Sequence, residues 1–505
     1  MVRQSQWLVA AVILSAVTLL AQRDSTARES KLALSISSNG RYFAGRGGEP
    51  AFLTGDTAWR IVVQLKREEM LAYLDKRREQ GFNTILFIAL PWADRVAGNR
   101  NAYGDEPFHR SGANYDPAKP DVTPNGSPDN ATEYDYWDHV DFFVQAAERK
   151  GFYLAFLPCW GDPWVNTEDS IFTQTSAYAY GQWVGARYRR HDHILWVLGG
   201  DTRPEDKAPV YRAMAEGLAD GTNGVNNPDG QAEYGTTLMT YHEPKKWTDS
   251  LDEHDSSATW FHNDPWLDFN SCQEHPEKAA RAILGDFVRK PVKPVWLFEG
   301  RYEAYQRDSD TPPWDAWSIR YQAYQSVFSG GFGHVYGHEG VFSFGLTEPH
   351  AADVDWRRNL EAPGAQQVGQ LAKLMKVLTP RQYWSREPAQ ELIASRIGVS
   401  PLANDPREGN DRISATRAAD GSIAMVYIAN GRSVSIRMDR LAGPAVDAYW
   451  YNPRNGQWRA GDEEHSSRRP FQSGLASGEA AGALEFDPPG AAASGNDWVL
   501  VLSTR

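Results

Sequence analysis

Two carboxylates stand where the chain has no packing reason for them. The apolar run "ILWVL" leads through Gly199 and Gly200 to Asp201, and "VWLF" leads directly to Glu299. Such runs suit buried strands, and a charge at the end of one is costly unless it is paired or put to use. Two carboxyl groups brought face to face can divide the cleavage of a glycosidic bond, one supplying a proton and the other an anion. Gly199 and Gly200 would let a substrate approach the backbone. Asp201 also has a competing role as a cap for a helix after "DTRPED", where an anion near the first turn is favoured.

Other polar and aromatic residues gather at the ends of neighbouring apolar runs. Asp56 and Trp59 follow the first, Trp92 the second, and Trp160 with Trp164 the third; Tyr241 and His242 end the fifth, Tyr302 and Glu303 lie beyond Glu299, and Tyr336 and His338 end the last. Flat rings stack on sugar faces and polar tips read hydroxyls, so all of these are expected to line the mouth, and all but Trp164 to bind substrate, beside Asp201 and Glu299. Each also has a structural use. The tryptophans can pack the core or rim, Asp56 can cap a helix starting near Thr57, and Glu303 can pair with Arg301.

Placing these residues in one mouth demands a particular scaffold. Eight apolar runs, at 51–56, 83–90, 152–160, 194–201, 234–242, 258–264, 294–300 and 332–337, have helical patterns between most of them, including 66–80 and a segment around 170–190. That alternation predicts a (β/α)8 TIM barrel, in which chemistry sits at the C-terminal ends of the strands. An open doubly wound sheet would want a glycine-rich phosphate turn after its first strand, and "LTGDTAW" supplies none. From about residue 385 the runs become short and alternating, separated by "DG", "NG" and "PG" turns, as in a small antiparallel β-sandwich. The expected boundaries are 1–21 for a signal peptide, 32–385 for the barrel and 386–505 for the sandwich.

Composition narrows the function classes. A net charge of −13 makes nucleic acid a poor partner, since phosphates would be repelled. The first 21 residues carry Arg3, then an apolar run from Trp7 to Leu20 that is too short to span a bilayer, then a small residue suited to cleavage. A secreted or periplasmic protein, free of the membrane after cleavage, is expected. Cys159 and Cys272 are too few for a disulfide framework and match no zinc spacing, and whether they pair is open. "HDH" at 191–193 precedes the fourth strand and so lies at the end of the barrel remote from chemistry. No metal and no cofactor are expected, and the sequence does not set the oligomeric state.

The segments "FLTGDTAWRIVVQLKREEMLAYLDKRREQGFNTI", "ILWVLGGDTRP", "LMTYHEP", "WLDFN", "EGRYEAY" and "GFGHVYGHEGVFSF" occur in an order that resembles the apiosidase-like glycoside hydrolases over most of residues 36 to 380. The resemblance implies a (β/α)8 barrel acting on a pectic polysaccharide, with apiose on galacturonic acid as the family's substrate. It assigns Asp201 as acid/base and Glu299 as nucleophile of a two-carboxylate reaction, retaining by analogy. Gly300 and Glu243 stand where that family often has proline. Segments "GSIAMVYIANGRSVSIRM", "AYWYNPRNGQW" and "DWVLVLS" resemble a collagen-binding-type domain found behind these barrels, which leaves a non-catalytic glycan- or matrix-binding barrel as the alternative.

Overall fold

The computed structural model describes residues 33–92, 100–112, 114–130, 132–245, 254–306, 311–345, 355–399 and 409–505. The segment expected to direct export, 1–21, lies outside these residues. Eight parallel strands form the central sheet: Leu53–Thr57, Thr84–Ile88, Tyr153–Leu157, Ile194–Gly199, Met239–His242, Asn270–Gln273, Val295–Glu299 and Gly333–Tyr336, numbered one to eight below. Strands one to five pair in chain order, as do six to eight, and strand eight returns to strand one with Tyr336 opposite Asp56. A small antiparallel sheet of Leu34–Ile36, Phe43–Gly45 and Pro50–Ala51 precedes the barrel. Among the described residues no helix is long and apolar enough to cross a membrane.

Strands five and six adjoin without a backbone ladder, and side chains close that seam. Thr240 donates to the Phe269 carbonyl at 2.6 Å, Ser271 to the Tyr241 carbonyl at 2.5 Å, and the Gln273 amide to the Glu243 carboxylate at 2.6 Å. This corrects the sequence expectation for strand six. Residues 258–264 contribute not a strand but most of a short helix, Ser257–Phe261, whose first turn is capped by Ser256. The true strand reads "NSCQ" and pairs through its backbone with strand seven alone; its residues are mostly polar, so no apolar run marks it.

Helices cover the barrel where the sequence places them. Arg67–Glu79 follows strand one, Tyr136–Arg149 precedes strand three with Asp135 accepting from the Trp137 and Asp138 amides, and Gln174–Tyr188 precedes strand four behind Thr173. Ala316–Phe328 and Pro363–Met375 flank strand eight and carry the C-terminal sheet.

That C-terminal sheet is antiparallel and includes Arg386–Pro388, Ser414–Ala418, Ile423–Ile428, Trp498–Thr504 and Ala445–Asn452 as consecutive neighbours. Both of its faces are buried. Met425 and Tyr427 pack toward the barrel, while Ala424, Val426 and Ile428 pack toward the ribbon of Val434–Arg437 and Ala483–Phe486. Alternation with two apolar faces gives the near-continuous apolar run seen in sequence. Tyr324 stacks on Tyr427 with centroids 4.6 Å apart, and the Trp317 indole donates to the Ala429 carbonyl at 2.9 Å. Arg320 makes a buried two-point contact with Asp497, at 2.9 and 2.6 Å.

Removing one member of such a pair leaves a charge without water or partner. Asp497→Ala is therefore expected to destabilise the chain by about 3–5 kcal/mol, measured as a shift in the urea midpoint. A loss below about 1 kcal/mol, the value of an exposed pair, would show that solvent reaches Arg320 and that the pair does not secure the domain contact.

Candidate active site

The chain end of strand four explains how a carboxylate reaches the mouth. Gly199, Gly200 and Asp201 have φ of 84°, 135° and 54°, so three successive residues in left-handed or similar backbone turn the chain across the barrel top. A non-glycine residue there is strained, a cost characteristic of functional sites. The glycines serve packing rather than substrate approach, which corrects the sequence reading. A Cβ on Gly199 would lie 2.5 Å from the His242 carbonyl oxygen, and one on Gly200 would lie 2.6 Å from the Trp160 ring. Asp201 caps no helix, since Ala208–Asn223 is preceded by a short 3-10 turn and has Lys207 at its cap.

Asp201 and Glu299 open into one cavity of about 450 Å3, within the range of small-molecule sites. Trp59, Trp92 and Trp160 form its aromatic side, with Trp160 lying 5.6 Å from Trp59 and 5.0 Å from Trp92 between ring centroids. Burial among these walls, and then the negative charge of Glu299, push Asp201 up to about 6. The residue as a whole is nevertheless exposed at the mouth.

Glu299 is held from two sides. Tyr302 donates to its Oε1 at 2.7 Å and is itself fixed by the Trp59 indole N–H at 2.7 Å. His242 Nε2 lies 2.8 Å from Oε2. The other ring nitrogen, Nδ1, faces the Glu243 carbonyl at 3.0 Å, and a carbonyl only accepts, so Nδ1 carries hydrogen. Nε2 and Glu299 therefore share one proton across their contact. His242 is wholly buried and acts on Glu299 rather than lining the cavity.

Lys245 and Arg301 bring positive charge to the cavity wall, with His275, Glu274 and Glu339 beside them. Arg301 donates to the His275 ring, and its guanidinium lies over the Tyr305 ring at 4.3 Å. Burial, and then the charge of Arg301, bring Lys245 down to about 8. Gln273 on strand six reaches Asp201 with its side chain while its Oε1 accepts from the Lys245 amide at 2.7 Å. Glu243, standing where the resemblance leads one to expect proline, is buried behind this wall and binds Ser271 and the Gln273 amide.

Several expected contacts lie elsewhere. Asp56 neither faces the mouth nor caps a helix; it is fully buried against Arg77, at 2.6 Å, and accepts from Tyr73. Tyr241 points outward and donates to the Thr202 carbonyl at 2.8 Å, bracing the loop beyond Asp201. Glu303 accepts from Tyr336 at 2.6 Å and from the Gly364 amide at 3.1 Å, so these two partner each other between barrel and helices, away from the cavity. His338 is buried, with Nδ1 accepting from the Gly340 amide at 3.0 Å. Trp164 packs in the core, its indole donating to the Pro91 carbonyl. Cys159 and Cys272 are buried free thiols.

Two adjoining carboxyl groups in an aromatic mouth at the C-terminal face of a parallel barrel define a glycoside hydrolase. The chain belongs to the family described as "Apiosidase-like, catalytic domain", which it matches over residues 37–382, and residues 398–503 match a collagen-binding-type domain of a collagenase. Among solved structures it is similar to a glycoside hydrolase at 27% identity, with a TM-score of 0.75, covering 94% of this chain and 97% of that one. A glycoside hydrolase family 5 structure from Bacteroides vulgatus is similar at 28% identity, with a TM-score of 0.75 and 93% of each chain covered. Among curated proteins none matches the sequence.

Proposed function

We propose that this hydrolase is exported and releases a sugar from a pectic, carboxylate-bearing wall polysaccharide by a retaining double displacement. Asp201 protonates the leaving oxygen, and Glu299 attacks the anomeric carbon to give a glycosyl-enzyme. Asp201, now ionised, takes a proton from the water that attacks that intermediate, which returns Glu299 as the free carboxylate. The observation that carries this reading is the environment of the pair: Asp201 pushed up to about 6, so that it holds its proton in mildly acidic solution, beside a Glu299 oriented by Tyr302 and His242. The positive charges of Lys245 and Arg301 in the cavity wall suit a substrate with a uronate next to the bond being cut.

The test is sugar release from a panel of pectic and hemicellulosic polysaccharides by the chain beside its Asp201→Asn and Glu299→Gln variants, with the anomer of the first product read by NMR. One sugar, released with retained configuration and absent from both variants, is the expected result. A glycan retained by all three proteins without release would instead describe a binding barrel. Arg301→Met is expected to raise KM about tenfold for uronate-bearing substrates, the value of one charge-assisted contact, and to leave a neutral aryl glycoside unaffected. Equal effects on both substrates would remove the uronate from the proposal.

A further inference from the structure

At the N-terminal end of the barrel, remote from the mouth, three side chains converge that hydrolysis does not use. Glu148 lies in the last turn of Tyr136–Arg149, and His191 and His193 flank Asp192 in the turn that enters strand four. His191 Nδ1 is 2.9 Å from one Glu148 oxygen and His193 Nδ1 is 3.9 Å from the other. The three donor atoms all lie within 4.8 Å of one another.

His193 makes this more than an ion pair. Its side chain is fully buried, and Nε2 lies 3.2 Å from the Val144 carbonyl, which can only accept. Nε2 therefore holds the hydrogen, and Nδ1 presents a lone pair. That buried Nδ1 has no hydrogen-bond partner among the described residues. It faces a carboxylate oxygen, another acceptor, at a distance too long for a hydrogen bond. A lone pair opposite an anion is repulsive unless a cation stands between them.

We infer that Glu148, His191 and His193 form a binding site for a divalent transition ion of the zinc type, with two imidazoles, one carboxylate and a solvent ligand. Imidazole and carboxylate donors sit roughly 2.0–2.2 Å from such an ion, so in a tetrahedron they lie about 3.4 Å apart. The two contacts of Glu148 bracket that separation, and small side-chain rotations equalise them. An imidazole whose second nitrogen donates to a backbone carbonyl is the usual support for a metal ligand, and Val144 provides it. His191 and Glu148 are partly exposed, which gives the ion a way in and room for water. The site would tie the end of one barrel helix to the entry of strand four. It reverses the sequence expectation that "HDH" carries no metal.

The test uses the full chain without a tag, stripped with EDTA and titrated with zinc chloride by calorimetry and against a chromophoric chelator. One equivalent is expected to bind and to raise the melting temperature by a few degrees, roughly as mass action requires at saturating ion. Magnesium, which prefers oxygen ligands, is expected to do neither. His191→Gln and Glu148→Gln alter partly exposed groups and should fold; each is expected to weaken zinc at least tenfold. His193→Gln should do the same. Absence of stoichiometric binding, or zinc held equally well by the His191 and Glu148 variants, would overturn the site and leave a Glu148–His191 ion pair.

Discussion

Glu299→Gln is expected to lower kcat/KM by at least about 10³-fold, because under the proposed double displacement the surviving acid cannot act without its nucleophile and members of a catalytic unit fail together. The substitution is chosen to spare the surroundings. A glutamine keeps an oxygen for the Tyr302 hydroxyl, and its amide can donate to His242 Nε2 where a proton was shared. The melting temperature should therefore stay close to that of the parent, separating lost chemistry from lost fold. Glu299→Ala should regain turnover of an activated aryl glycoside when azide is added, because a small anion can enter the space left by the carboxylate; the product should be a glycosyl azide of inverted configuration. Activity within tenfold of the parent in Glu299→Gln would move the nucleophile to another carboxylate of the same cavity, Glu274 or Glu339.

How far the sequence could go toward this site follows from what a strand end reveals. The apolar runs locate the ends of seven strands, and both Asp201 and Glu299 were legible because each closes such a run. What the runs do not reveal is parity. Side chains alternate across a strand, so one of two adjacent residues faces the barrel and the other faces the helices. Tyr241 and His242 are neighbours with opposite fates, one donating outward to Thr202 and the other inward to Glu299. Asp56 and Tyr336 fall on the outward set, where Arg77 on the first long helix sits against both, with its guanidinium 5.4 Å from the Tyr336 ring. The charged wall was hidden for other reasons. Gln273 lies on a mostly polar strand that no apolar run marks, and Lys245 lies in a connection with no periodicity to read. Strand parity and the seam between strands five and six are set by closure of the whole barrel, which no local window of sequence contains.

The pH dependence of Asp201 ties the two carboxylates together. With its carboxyl group pushed up to about 6, the parent should show an alkaline limb of kcat/KM near pH 6, as the proton needed by the leaving oxygen is lost. Asp201→Asn should abolish that limb and lower turnover of an unactivated glycoside by about 10²–10⁴-fold, with a much smaller loss for an aryl leaving group that needs no proton. An alkaline limb that remains in Asp201→Asn would assign the acid to another group. Stability should move the other way. Because the folded value lies above that of a free carboxylate, the protonated form of Asp201 is favoured by folding; its contribution is complete below about pH 4 and is lost as pH rises through about 6. At pH 7.5 the parent holds an anion against Glu299 and the aromatic walls, while asparagine is neutral. The variant should then be the more stable by about 1 kcal/mol, the full shift being discounted because the residue is exposed at the mouth. At pH 4 the difference should close. A variant that gains the same stability at both values would owe it to relief of the φ of 54° at this position rather than to charge, and the electrostatic coupling of Asp201 to Glu299 would have to be abandoned.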